Sequence, residues 1–239
     1  MRGALFDVFA AMSGQSSWVT AVVSLFSILV VIFLCLPFHE FAHAFAAKCL
    51  GDDTAEESGR LTLNPFAHID PIGALCMALC SIGWAKPTPV NLGRCRKVSS
   101  RAANLIVSLA GPVSNILLSF VIVVICKIIM RVLGGSITQT AVYIIYALVY
   151  AANINVFLAV FNLLPIPPFD GYAILASVLP RKAAIFLESK SGIINLIVFI
   201  LIFSGARILS APLGIFSDLI MKFLNLITKF IYPVIPFIT

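Results

Sequence analysis

The chain has 239 residues, of which 61% are hydrophobic and only 11% charged, with a formal net charge of +6. Soluble domains carry about 25% charged residues, so this composition excludes a water-soluble globular protein and describes a polytopic membrane protein whose surface faces a lipid bilayer. The positive balance calls for no nucleic-acid partner, because cytoplasmic loops of membrane proteins collect Lys and Arg.

The N-terminus has one Arg and no small-residue cleavage motif before its apolar run, so no cleavable signal peptide is expected. Ser17 to Leu50 reads as one long helix, roughly 50 Å at 1.5 Å per residue, with Gly51 placed to stop it. Its second half, LCLPFHEFAHAFAAKCL, sets His39, Glu40 and His43 in an apolar run. Ionisable groups at membrane depth are costly and point to function. His39 and His43 are four apart and share a helical face. This is the HExxH arrangement, in which two imidazoles hold zinc and the glutamate activates a water. With three His and four Glu in the chain, chance placement gives the pattern roughly once in a thousand sequences. A structural histidine pair is the other bland reading, and it leaves the triad buried without a compensating ion. Pro37 removes a backbone donor just before the site and should loosen the helix there.

Asp52, Asp53, Glu56 and Glu57 come next as an acidic, solvated turn. Asp70-Pro71 reads as an N-cap and first helical position. Ile72–Ala85 is too short for a span and suits a re-entrant segment. Cys76 and Cys80 within it are a poor metal signature, since structural zinc sites need four ligands. The next residues, WAKPTPVN, place Pro87 and Pro89 two apart. On a strand their missing donors fall on one edge, while Thr88 and Val90 leave the other edge able to pair with a substrate. An ordinary proline-stiffened loop is the alternative. His68 is expected to be a satisfied loop histidine.

The second span runs from about Ala102 to Cys126, closed by Lys127 and Arg131, and the third from about Ala141 to Leu164. Ile193–Phe203 is a short fourth candidate. In the tail, Asp218, Lys222, Asn225 and Lys229 form one polar stripe at helical spacing, which fits either an interfacial helix or a last span against the bundle. Seven Lys or Arg lie between Lys48 and Arg101, and Arg181, Lys182 and Lys190 lie beyond the third span. The positive-inside rule makes that side cytoplasmic.

A catalytic zinc takes three protein ligands and keeps one position open. Asp170, in FNLLPIPPFDGY after the third span, is the acidic candidate; on local grounds it equally suits an N-cap for a helix over Tyr172–Leu179. Topology separates the two readings. If Ile72–Ala85 does not cross, the second span leaves and the third returns, bringing Asp170 to the side of His39 and His43.

HEFAH in a membrane helix, LAGPVSN over Leu109–Asn115 and NLLPIPPFDG over Asn162–Gly171 together resemble the site-2 protease family of intramembrane zinc metalloproteases. The resemblance implies one Zn2+ on His39, His43 and Asp170, Glu40 as base, and an all-α three-helix catalytic core with further C-terminal helices. It also implies that Asn162 helps hold substrate; an interhelical hydrogen bond is the other reading of that residue. Asn115 is expected to join helices rather than touch substrate. The sequence shows neither a PDZ insertion nor a CBS tail, so the contribution of those domains in other members would be absent or would come from a separate regulatory or adaptor protein. The expected protein is a single metalloprotease domain over residues 1–239, with its core at about 17–171. It would sit in a prokaryotic cell membrane with its site towards the cytoplasm and cleave membrane-spanning proteins. The competing class is a non-proteolytic metal-binding protein or transporter, which would have no need of a glutamate between the histidines.

Overall fold

The computed structural model describes residues 4–14, 17–80, 83–203 and 207–233. Helix α1 (Ala4–Met12) precedes α2, a continuous helix over Trp18–Cys49. The Ser17 hydroxyl accepts the Val19 N–H at the start of α2, and Gly51, at φ +100°, takes the left-handed conformation that ends it. Midway, Val31–Cys35 forms a π-helical turn, closed by the Leu36 N–H on the Val31 carbonyl. This turn lies just before Pro37, whose missing donor loosens the helix.

After α3 (Pro71–Cys80), the chain returns in extended form, and Ile69 and Ala85 make an antiparallel bridge. The Lys86 N–H donates to the His68 carbonyl at 2.7 Å. Both ends of Ile72–Ala85 therefore lie side by side, as a re-entrant hairpin requires. Its two arms are in backbone contact: a Cβ on Gly73 would sit 2.1 Å from the Trp84 carbonyl oxygen. Ser81 and Ile82, between the arms, lie outside the described residues. No strand forms among the described residues, so the strand-like expectation reduces to extended chain with a single bridge. Pro87 and Pro89 remove the donors that a ladder would need.

Helix α4 (Ser100–Leu133) is 34 residues long and starts on the Ser99 cap; α5 is Gln139–Asn162, capped by Thr138. The second span thus runs about two turns beyond Cys126. Lys127 does not close it at the surface: the side chain is fully buried, and its ammonium donates to the Asn225 carbonyl at 2.8 Å. That carbonyl lies in the last turn of a later helix, where backbone acceptors lack helical donors and the dipole favours a cation. The three helices α2, α4 and α5 are long and apolar enough to cross a membrane.

Lipid offers no hydrophobic force to join helices, so small and polar residues do. The Ser27 hydroxyl donates to the Ala147 carbonyl at 2.9 Å, joining α2 to α5. The Asn155 amide donates to the Asn115 carbonyl at 2.7 Å and to the Ser119 hydroxyl at 2.9 Å, joining α5 to α4. Asn115 joins the helices through its backbone carbonyl, while its side-chain oxygen is buried without a hydrogen-bond partner. Helices α6 (Asp170–Val178), α7 (Arg181–Ser189), α8 (Ser191–Phe203) and α9 (Arg207–Ile227) complete the described chain. α9 buries Leu213, Met221 and Leu224 in one core with α4 and α5, so the tail is a bundle helix rather than an interfacial one. Residues 234–235, at the end of the expected tail segment, lie outside the described residues.

Candidate metal centre

One face of α2 carries His39 and His43, both buried, towards α4. Close approach is possible because position 111 has no side chain. A Cβ on Gly111 would lie 2.4 Å from His43 Nε2 and 2.5 Å from His39 Cε1. The next residue, Pro112, removes the helical donor for the Ser108 carbonyl, opening α4 beside the site. His43 Nδ1 lies 2.7 Å from the Val107 carbonyl, which fixes its proton there and leaves Nε2 as a bare acceptor.

Asp170 reaches the same place from the other side. The turn after α5 reverses the chain, and Gly171 permits it: a Cβ there would lie 2.2 Å from the Leu163 carbonyl oxygen. Phe169 occupies the N-cap position of α6 without a side-chain cap, so the Asp170 carboxylate is not used as a cap. Its oxygens stand 3.3 Å from His39 Nε2 and 3.4 Å from His43 Nε2, and the two Nε2 atoms are 3.0 Å apart.

These three ligand atoms lie within 4.8 Å of one another. Two nitrogens on a tetrahedral zinc with bonds of about 2.0–2.1 Å would be about 3.3 Å apart. Asp170 Oδ2 is buried without a hydrogen-bond donor. Two imidazoles and one carboxylate converging in this way match the three-ligand set of a catalytic zinc and fit the metal.

Glu40 lines the same cavity of about 340 Å3, with Thr88, Val90, Asn162 and the three candidate ligands. The Thr88 N–H donates to Glu40 Oε2 at 2.8 Å, and the Thr88 hydroxyl to the Glu40 carbonyl at 3.0 Å. One of the two backbone donors expected to face substrate is therefore engaged with Glu40; the Val90 N–H has no partner among the described residues. The Asn162 amide donates to the Leu158 carbonyl of its own helix at 3.1 Å, and among the described residues it makes no interhelical hydrogen bond. His68 is buried away from the cluster, with Nε2 2.8 Å from the Thr62 carbonyl. Asp70 accepts the Gly73 N–H at 2.8 Å, as its N-cap reading requires.

Asp52 departs from expectation. It is buried rather than solvated, accepting the Thr54 hydroxyl and N–H and, at 2.6 Å, the Asn91 N–H. Burial pushes its carboxyl up, yet these donors outweigh burial and hold it below the usual carboxylate range. Asp52 thereby pins the segment that carries Thr88 and Val90. Sequence reasoning misses the roles of Val107, Gly111 and Gly171. Val107 acts through a backbone carbonyl, which leaves no side-chain signal, whereas both glycines stand inside recognised motifs.

The model of Peptidase family M50 matches residues 27–205. The protein named "Putative zinc metalloprotease YwhC" from Bacillus subtilis is 36% identical over 207 residues, covering 84% of this chain and 91% of its own. "Putative zinc metalloprotease Rip2" from Mycolicibacterium smegmatis is 34% identical over 148 residues, 59% of this chain and 52% of its own. "Putative zinc metalloprotease MJ0611" from Methanocaldococcus jannaschii is 39% identical over 69 residues, 29% of this chain and 31% of its own. No solved structure matches. With the family model spanning α2 through α8 and the motifs converging on one metal-binding cluster, the chain belongs to peptidase family M50, the site-2 protease family of zinc metalloproteases.

Proposed function

We propose that this protein is a zinc endopeptidase that hydrolyses peptide bonds of membrane-spanning proteins within the bilayer, as one domain with its site towards the cytoplasm of a prokaryotic cell. The observation that carries the reading is the convergence of His39, His43 and Asp170 in a cavity that Glu40 also lines. His39 and His43 present Nε2, and Asp170 a carboxylate oxygen, as the ligands. When bound, zinc supplies a Lewis acid that polarises the scissile carbonyl and makes a water acidic near neutral pH.

The chain's own residues do the rest. Glu40 takes the proton of the attacking water and returns it to the departing amine. The Thr88 N–H holds one carboxylate oxygen, leaving the other to face the water. Val107 keeps His43 in the tautomer that offers Nε2. A substrate must be extended to expose its peptide bonds, and Val90, with its N–H open, is the element of the 87–90 segment that pairs with it. Asn162, at the cavity wall, supplies an amide to the substrate backbone. Held by Thr88 in the cavity that the two histidines line, Glu40 is placed for proton transfer, which metal carriage does not need.

The test is Glu40→Gln in purified, zinc-loaded protein reconstituted with single-span substrates. Cleavage should fall by about 10²–10⁴-fold while zinc stays bound. Undiminished cleavage in this variant would remove Glu40 as the base, and no cleavage by the unmodified, zinc-loaded protein would return it to the metal-binding or transport reading. Val90→Pro should cut cleavage strongly with zinc unchanged, and Val90→Ala should be mild; normal cleavage by a folded Val90→Pro protein would leave the segment a stiff loop.

A further inference from the structure

A second cavity, of about 320 Å3, lies beside the metal centre between α5, α9 and the re-entrant hairpin. Its wall on α5 runs at helical spacing through Tyr150, Asn153, Phe157 and Phe161, and α9 contributes Gly214 and Asp218. Phe161 packs edge-on against Phe169, ring centres 4.5 Å apart, immediately before Asp170. The groove therefore leads along α5 to the threshold of the site.

Its polar chemistry is one-sided. Asp218 is exposed and has no ion-pair or hydrogen-bond partner among the described residues, although Lys222 lies one turn further along α9. The Asn153 amide N–H is engaged with the Val149 carbonyl at 2.8 Å, which leaves its side-chain oxygen as an acceptor. The Ser217 hydroxyl donates to the Leu213 carbonyl at 2.8 Å and is likewise left with lone pairs. Besides the Tyr150 hydroxyl and the second N–H of the Asn153 amide, the groove presents acceptors and one negative charge. Asp218 is also deep. The Lys127–Asn225 bond fixes the end of α9 beside α4, and Asp218 is seven residues from it, about 10 Å towards the site. An unpaired carboxylate at such depth needs a counterpart.

We propose that this groove docks the transmembrane helix of the substrate, and that Asp218 with Asn153 selects a helix bearing a Lys or Arg. This rests on the protease reading given above. A helix is favoured over a lipid chain because Gly214, with nothing within 4 Å of its Cβ position, leaves room for close backbone approach, and the Asp218 carboxylate requires a donor. Asn153 lies nine residues before Asn162, about 13 Å along α5. The cation then sits about nine residues from the scissile bond if the intervening substrate is helical, and about four if it is extended.

The experiment uses the full chain carrying Glu40→Gln in proteoliposomes, with a photoreactive residue at Phe157. The probes are synthetic leucine–alanine helices with a lone Lys scanned along their length, against the same helix without Lys. Capture of one Lys register at least tenfold above the uncharged helix is expected. Asp218→Asn should remove that preference, and Asp218→Lys should transfer it to helices bearing Glu, with zinc occupancy reporting retained fold. Equal capture of charged and uncharged helices would overturn the proposal, as would capture only of lipid or of a second protease copy. Cleavage of the same helices by the unmodified enzyme is scored separately. Cleavage without charge-dependent capture removes the groove alone, while charge-dependent capture without cleavage by the zinc-loaded enzyme removes the protease reading.

Discussion

Among the buried polar groups of this bundle, Lys127 and the histidine–aspartate cluster differ in who supplies the counterpart. At Lys127 a donor meets a protein acceptor, the Asn225 carbonyl, at 2.8 Å. At the candidate metal centre His43 Nε2, His39 Nε2 and the Asp170 carboxylate converge within 4.8 Å of one another. A buried charge that the fold itself answers is structural, whereas converging lone pairs are answered by a cation. The lesson is that depth in the membrane does not by itself mark function; the identity of the partner does.

The contrast can be broken most severely at Asp170. Asp170→Ala opens the ligand set, so zinc per chain by elemental analysis should fall well below one and peptide cleavage should be lost. Full zinc content in this variant would remove Asp170 from the centre. Glu40→Gln should lower cleavage by about 10²–10⁴-fold while zinc is retained, the usual range for a general base. Gly111→Ala sharpens the point without touching a ligand. Its methyl would press on both imidazoles, and zinc affinity, measured by competition with a chelator, should fall by about 10–100-fold, as for other groups that orient ligands. Thr88→Val keeps the N–H on Glu40 and loses only the hydroxyl bond, worth about 1 kcal/mol, so a drop of roughly fivefold in cleavage is expected. Smallest at the site should be Lys127→Met. It should change thermal stability by about 1 kcal/mol in either direction and leave zinc content and cleavage alone. A loss of zinc there would couple the two clusters and undo the comparison.

Much of the site is legible in the sequence because its chemistry is local. His39, Glu40 and His43 fall on one helix, and Asp170 emerges from counting crossings once Ile72–Ala85 is read as turning back. The tight contact of Gly73 with the returning arm at Trp84 shows why that segment turns: its backbones meet where no side chain could fit. Lys127 reads as a span end in the sequence, because a lysine near a helix terminus and a lysine paired with a carbonyl 98 residues away look the same in one dimension. Asp52 reads as solvated for the same reason, since its partner, the Asn91 N–H, is a backbone group in another loop. α9 cannot be placed from its polar stripe alone. The deciding fact is the opposite stripe of Leu213, Met221 and Leu224, which needs α4 and α5 to pack against.

The π-helical turn at Val31–Cys35 sets the phase between two halves of α2. Ser27, before it, is bonded to α5, while His39 and His43, after it, meet α4. Each residue added to or removed from a helix rotates the remainder of that helix by about 100°. Deleting one residue within the turn would let an ordinary α-helix form and leave every functional side chain present. The histidines would nonetheless swing about a quarter-turn away from Gly111 and Asp170. In this helix, chain length between two anchors is as much a determinant of the metal site as the identity of its ligands, and a one-residue deletion that removes no ligand should abolish zinc binding in a protein that still inserts and folds.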